Sequence, residues 1–192
     1  MQEIDVAALE RTTERLQLKV LSAMFAPKVL RYFEHNAAFR QPWSPIPPAD
    51  FLTVNHQRKR LTDDWTAMER GASVRLWLFK RDDAALATIL GFVSLSNIVR
   101  GAFQSCNVGY EMSSDQLNQG YITEALRAVI ELAFGAMRLH RLEANIMPRN
   151  VRSLRVVEKL GFVAEGLARK YLKINGKWED HQHYVLLNTE LE

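Results

Sequence analysis

Cysteine is all but absent: Cys106 stands alone in 192 residues. One thiol excludes an internal disulfide and any zinc site built on cysteines. Long apolar runs are missing as well, and no stretch reaches the length needed to span a bilayer. The opening residues, Met-Gln-Glu-Ile-Asp-Val, are acidic and lack the layout of a secretion signal, so a cytoplasmic protein is expected. Neither sign of charge dominates. The formal net charge of +3 is too small to argue for a nucleic-acid partner. Proline is scarce outside one place, since four of the six fall between positions 42 and 48. Repeats, low-complexity tracts and linkers are also lacking. What remains is 47% hydrophobic and 24% charged, an ordinary globular balance in a chain long enough to bury a sizeable core.

The most informative stretch surrounds Gly120. Val108, Tyr110 and Met112 alternate with smaller or polar residues, the period of a strand. From Ile122 the apolar spacing changes to three and four, through Ala125, Leu126, Val129, Ile130, Ala133, Phe134 and Met137, the stripe of a buried helix. A loop feeding a helix start presents backbone N–H groups without intrahelical partners at the positive end of the helix dipole. That suits a phosphate, and a glycine lets the phosphate approach the backbone. Gly120 equally permits a plain turn.

Around this stretch the chain divides readily. Residues 1–13 form a loose lead-in and 14–192 a single domain. Strands are predicted over 14–21, 72–80, 87–98, 106–112, 142–147, 162–174 and 178–187. Helices are predicted over 23–36, 50–71 (Asp50 as cap, Gly71 as stop), 122–137 and 150–160. Asn175-Gly176 is a strong hairpin turn, and Gly161 suits a helix end. The proline-rich segment carrying Phe39 and Trp43 is neither helix nor central strand, and serves as a substrate wall or as a clasp over the core. The order of elements is that of an α+β fold, a mixed and mostly antiparallel sheet flanked by helices in three layers.

Several separate stretches share order and spacing with one family. These are Gln41-Pro-Trp-Ser-Pro, Gly91 to Gly101, Val108-Gly-Tyr-Glu, Gly120-Tyr-Ile-Thr-Glu-Ala-Leu126, Leu139 to Asn145, Asn150-Val-Arg-Ser153, Glu158 to Phe162, Glu165-Gly166 and Asn175 to His181. From Leu16 onward the chain resembles the GCN5-related N-acetyltransferases (GNAT), and among them the ribosomal-protein-alanine N-acetyltransferases of the Rim type. The resemblance implies a sheet whose fourth and fifth strands, counted from residue 14, splay apart to hold acetyl-CoA, with no metal. It implies that Asn118, Gln119, Gly120, Tyr121, Ile122 and Thr123 surround the pyrophosphate, and that Tyr110, Glu111 and Met112 edge the pantetheine. It also places Asn150 on the pantetheine arm and Ser153 near the sulfur. Leu117 and Ile122 depart from the family pattern, which has Gln or Arg and a small residue there. Read without the resemblance, Asn150 is simply a helix cap one turn before Ser153. Arg149, Arg152 and Arg155 either pair with the phosphates or form a solvated basic face.

Acetyl transfer needs a neutral amine, charge stabilisation at the thioester oxygen and a proton for the thiolate. Glu111 is the expected base and Ser153 the expected acid. Asn145, near the place where some relatives carry a glutamate, orients water. A backbone N–H at a strand bulge near Met112 serves the oxygen. Many superfamily members carry a tyrosine acid four residues before the Gly-Phe pair, and here that position is Val157. Cys106 reads as a buried strand residue, and His181 and His183 as structural rather than metal ligands. Phe39, Trp43 and Glu34 are candidates for the amine side. Three functions fit these residues. One is acetylation of a protein N-terminus, such as a ribosomal protein's alanine, with Glu34, Asp50 and Glu111 attracting a basic end. The second is acetylation of a small amine. The third is a non-catalytic acetyl-CoA-binding protein. The expected partners include neither nucleic acid nor membrane, and the expected state is a monomer or a homodimer.

Overall fold

The computed structural model describes residues 5–191. Its strands are β1 (Arg11–Thr12), β2 (Leu16–Lys19), β3 (Val74–Lys80), β4 (Gly91–Val99), β5 (Ser105–Met112), β6 (Arg141–Ile146), β7 (Val163–Ile174) and β8 (Lys177–Leu187). Its helices are α1 (Ala26–His35), α2 (Ala37–Arg40), α3 (Val54–Glu69), α4 (Tyr121–Phe134) and α5 (Val151–Lys159). One sheet takes the order β1-β2-β3-β4-β5-β6-β8-β7, and β5–β6 is its only parallel pair among the described residues. The connection between those two strands passes through α4, as a parallel crossover requires.

Helices cover both faces, so the inner strands are apolar on both sides. Leu76 and Leu78 of β3 pack with Val93, Leu95, Leu126 and Val129 in the core shared with α4. The alternate residues Trp77 and Phe79 pack with Val29, Phe33, Leu61 and Phe92 in the core of α1 and α3. The expected α+β architecture is therefore present, with two apolar layers back to back.

Several boundaries differ from the sequence expectation. Within the described part of the lead-in, Val6–Leu9 forms a 3-10 turn that buries Val6 and Leu9, and Arg11–Thr12 pairs with β2, so residues 5–13 are not loose. Helix α3 starts at Val54, because the Thr53 hydroxyl accepts from His56 N–H at 3.2 Å, whereas Asp50 sits 3.2 Å from His56 Nδ1. The strand expected from 87 begins at Gly91. The Asp83 carboxylate accepts from the N–H groups of Ala87 and Thr88, both at 2.9 Å, and holds that segment in a turn. The bulge expected near Met112 is absent. β4 and β5 stay in register from Ser96↔Asn107 to Gly91↔Met112, and their register shift lies between Ser96 and Val99, where Asn97 has φ 51°.

Candidate active site

Strands β5 and β6 pair only at Ser105↔Arg141, Cys106↔Leu142 and Asn107↔Glu143, then part. The opening is a cavity of about 410 Å³. The pairing pattern says what faces it. Ser113 N–H donates to Leu90 O at 2.7 Å, towards β4. Because successive N–H groups along a strand point to opposite sides, those of Met112 and Tyr110 turn to the open edge, while that of Val108 lies where β5 and β6 still pair. Tyr110, Glu111 and Met112 all line the cavity.

The next wall comes from α5. Asn150 caps it, its Oδ1 accepting from Ser153 N–H at 3.3 Å, while both residues line the cavity. Tyr110 Oη donates to Ser153 O at 3.0 Å, tying β5 to this helix start, and burial pushes its phenol pKa well up. Among the described residues the Ser153 hydroxyl makes no hydrogen bond, which leaves its proton available to the cavity.

The turn before α4 forms the rim. Gly120 occupies its N-cap at φ 79°, and Asn118 has φ 60°. Leu117 and Ile122 reach the cavity wall, whereas Asn118, Gln119, Gly120, Tyr121 and Thr123 belong to the adjoining turn and helix start. Arg15, which no local sequence pattern marks, braces this turn. Its Nη1 donates to Gln119 O at 2.9 Å, its Nε pairs with Glu124 at 2.6 Å, and its guanidinium lies 4.7 Å from the centre of the Tyr121 ring. Burial would raise the Glu124 pKa. The hydrogen bonds from the Thr13 hydroxyl and from Arg15 outweigh it and hold the carboxyl below its usual range.

On the opposite face stand the groups suited to an amine. Tyr110 points to α5, so Glu111 points the other way, towards α1. Glu111 Oε1 accepts from Tyr32 Oη at 2.9 Å and Oε2 from Arg40 Nε at 2.7 Å. Burial first, then the neighbouring Glu111, push the Tyr32 pKa up against the pull of Arg40 and Arg60. Asn36, fully buried, ties the end of α1 to this edge, its Oδ1 accepting from Ser113 Oγ at 3.2 Å and Ser114 N–H at 2.8 Å. On β6, Asn145 donates from Nδ2 to Tyr171 Oη at 3.4 Å, and its Oδ1 is buried without a partner at the cavity wall.

Phe39 and Trp43 complete this side, but Glu34 is exposed and lies outside the wall. The arginines divide. Arg149 Nη2 donates to Pro42 O at 2.8 Å and pairs with Glu179 at 3.1 Å, and its guanidinium lies over Trp43 at 4.8 Å, so it clamps the proline-rich loop to β8. Arg152 reaches the cavity and Arg155 is exposed. Burial pushes the Cys106 thiol up to about 12, which disqualifies it as a nucleophile. Among the described residues no three His, Cys, Asp or Glu side chains form a group able to hold a metal ion, and no helix is long and apolar enough to cross a membrane.

A splayed parallel pair, strand N–H groups turned to its open edge and a glycine-led helix start are the features on which relatives can be compared. The family model described as "Acetyltransferase (GNAT) domain" matches residues 8–163. The "Probable N-acetyltransferase YjcK" of Bacillus subtilis is 40% identical over 92% of this chain and 96% of its own. The crystal structure of a ribosomal-protein-S5-alanine acetyltransferase from Vibrio fischeri superimposes with a TM-score of 0.88 at 32% identity, covering 95% of this chain and 98% of that one. Mycobacterium smegmatis RimJ, in complex with CoA-disulfide, gives 0.84 at 25% identity, covering 92% and 83%. This chain belongs to the GNAT N-acetyltransferases, within the branch that holds the ribosomal-protein-alanine enzymes of the Rim type.

Proposed function

We propose that this N-acetyltransferase moves acetyl from acetyl-CoA to the N-terminal α-amine of a protein, a ribosomal protein with an N-terminal alanine being the favoured acceptor. The observation that carries the reading is a second cavity of about 790 Å³, which shares Arg40, Ser44 and Pro45 with the first. Beyond the place for the amine there is room for several residues of an extended chain, which a small amine would not need. Proton accounting supports it. An α-amine has a pKa of roughly 7.7–8.0 and a lysine about 10.4, so far more of the α-amine is neutral at pH 7.

Acetyl-CoA supplies an activated thioester carbon, and the residues fit it. The Tyr110 and Met112 edge offers strand-like hydrogen bonds to the pantetheine. The turn from Asn118 to Gly120, with Ile122 and Thr123 on the first turn of α4, offers N–H groups to the pyrophosphate. Asn150 holds the α5 start in place beside the arm. The Ser153 hydroxyl gives a proton to the departing sulfur, Glu111 attracts the ammonium, and Asn145 Oδ1 accepts from it.

Two peptides test the acceptor, one with a free N-terminal alanine and no lysine, the other with a blocked N-terminus and an internal lysine. After incubation with acetyl-CoA, mass spectrometry should find acetyl on the first. Acetylation of the lysine peptide alone would defeat the proposal. Modification of neither, with CoA released from a small amine, would favour the small-amine reading, and binding without turnover a non-catalytic one. The cofactor side has its own test. CoA should raise the melting temperature by mass action. Gly120→Val should abolish that shift, because φ 79° is strained for a β-branched residue. Arg15→Ala should reduce it by loosening the turn. An undiminished shift in both variants would move the phosphate site elsewhere.

A further inference from the structure

The geometry points to His181 Nε2 as the group that takes the proton from the acceptor ammonium. His181 lies on β8 and is only 3% exposed, yet it lines the cavity. It shares a face with the amine side. Tyr184 Oη donates to Glu158 of α5 at 3.2 Å, so His183 and His181, on alternate positions, point to the other face. His183 is the register partner of Asn145, which places Asn145 and His181 diagonally on that same face.

The proton position follows from hydrogen bonding. Nδ1 lies 3.1 Å from Glu179 O, and a carbonyl can only accept. Nδ1 therefore carries the hydrogen, and in the neutral ring Nε2 holds the lone pair. Among the described residues nothing bonds Nε2. The surroundings favour the neutral ring. Burial first, and the nearby His183, lower its pKa against the raising influence of the Glu179 carbonyl, the Glu179 carboxylate and Asp180. Tyr171 of β7 faces it with ring centres 5.6 Å apart. Asn145 stands beside it on β6, Arg149 pairs with the Glu179 carboxylate, and Arg40, Tyr110, Glu111, Asn150, Arg152 and Ser153 line the same cavity. Glu111 is the less available base, since each of its oxygens already accepts a hydrogen bond.

Asn145 Oδ1 and His181 Nε2, two unoccupied acceptors on residues that line the cavity, can hold two of the three ammonium hydrogens. One proton passes to Nε2, giving an imidazolium whose Nδ1–H still donates to Glu179 O. The freed nitrogen pair forms the N–C bond at the thioester carbon as the C–S bond breaks, and the pair of that bond leaves on sulfur. The Ser153 hydroxyl gives its proton to the sulfur and takes a second proton from the amine in its place, the third stays on the amide, and the imidazolium returns its proton to solvent. The inference rests on acetyl transfer to an amine in this cavity and not on which amine it is.

The test is the pH profile of kcat/KM, measured on whichever amine the wild-type protein acetylates, for the wild type, His181→Gln and Glu111→Gln. Wild-type kcat/KM should fall on the acid side with an inflection below the ordinary histidine value of about 6.5. His181→Gln should lose roughly a hundredfold. Its rate should follow only the free-amine fraction, rising up to the amine's own pKa, while its CoA-induced thermal shift persists. Glu111→Gln should keep the low inflection. A His181→Gln enzyme with the wild-type rate and profile, or loss of the inflection in Glu111→Gln instead, would overturn the assignment. If His181→Gln does not fold, long-range ¹⁵N–¹H spectra of the wild-type histidines decide without turnover. A neutral Nδ1–H tautomer at pH 7 supports the role, and an imidazolium or an Nε2–H tautomer refutes it.

Discussion

Gly91→Ala is expected to lower the melting temperature by roughly 5 °C or more, taking ~1–3 kcal/mol of overpacking and ~2–4 °C per kcal/mol for a chain of this size. Gly91 opens β4 opposite Met112. A Cβ there would overlap the Glu111 carbonyl oxygen and stand 3.1 Å from Met112 Cα. Both obstacles are backbone, so no rotamer relieves them, and β5 must move away at the two residues that edge the candidate site. A displacement near 1 Å of a positioned group can cost about a hundredfold in rate, and a loss of that order is expected here. Gly109→Ala is the control for stability. Its Cβ would meet only Ser94 Oγ, at 3.2 Å, a side-chain atom that can rotate away. Thermal melts and CoA-release rates check both points. Equal melting of Gly91→Ala and wild type would mean that the strands do not approach so closely.

Strand and helix periods, and the turn chemistry between them, were legible in the sequence because they depend on near neighbours. Asn175 and Gly176 both take positive φ, 44° and 81°, as their hairpin turn demands. Gly161 has φ 83° at the end of α5, and Phe162 N–H closes back on Val157 O at 3.1 Å. The alternation from Val108 to Met112 gave one wall of the cavity, and the stripe from Ile122 gave the helix whose first turn reaches it. What was not legible depends on distant partners or on a single side chain. Asp83 turns residues 87–90 away from the strand that their composition suggests. Val6 and Leu9 are two apolar residues in one short turn, too few to show a period. Arg15 and Arg40 look like any surface arginine until the fold brings them to Glu124, 109 residues away, and to Glu111, 71 residues away. In the sequence His181 and His183 are only two histidines on one face of a strand. The place of His181 in the wall follows from the splay of β5 and β6 and from the β6–β8 register, neither of which leaves a local mark.

Removing Arg40 alone is expected to destabilise the protein more than removing the charge at both ends of its ion pair. Arg40 Nε and Glu111 Oε2 are 2.7 Å apart, with both side chains 17% exposed. Arg40→Ala leaves a carboxylate at the cavity wall with only Tyr32 as donor. Breaking a buried pair from one side costs roughly 3–5 kcal/mol, and the residual exposure here puts the cost nearer the lower end. The guanidinium also lies over Phe33 at 4.4 Å and Phe51 at 5.7 Å, so that contact is lost too. Arg60 faces the same two rings at 4.7 and 5.9 Å, and burial with the neighbouring Arg75 already lowers its pKa to about 10, against the raising influence of Asp64. It therefore remains to cover the rings in the variant. Adding Glu111→Gln removes the stranded charge, and the double variant should regain about 1–2 kcal/mol in urea unfolding, within the range found for contacting pairs. Activity should not return with it. If the Glu111 carboxylate draws the ammonium towards the cavity, the double variant keeps an acceptor KM raised roughly tenfold, about 1.4 kcal/mol of lost attraction. Strictly additive stabilities would show that the two side chains are not energetically coupled. A double variant with the wild-type acceptor KM would remove Glu111 from amine binding and leave Asn145 and His181 to hold the substrate alone.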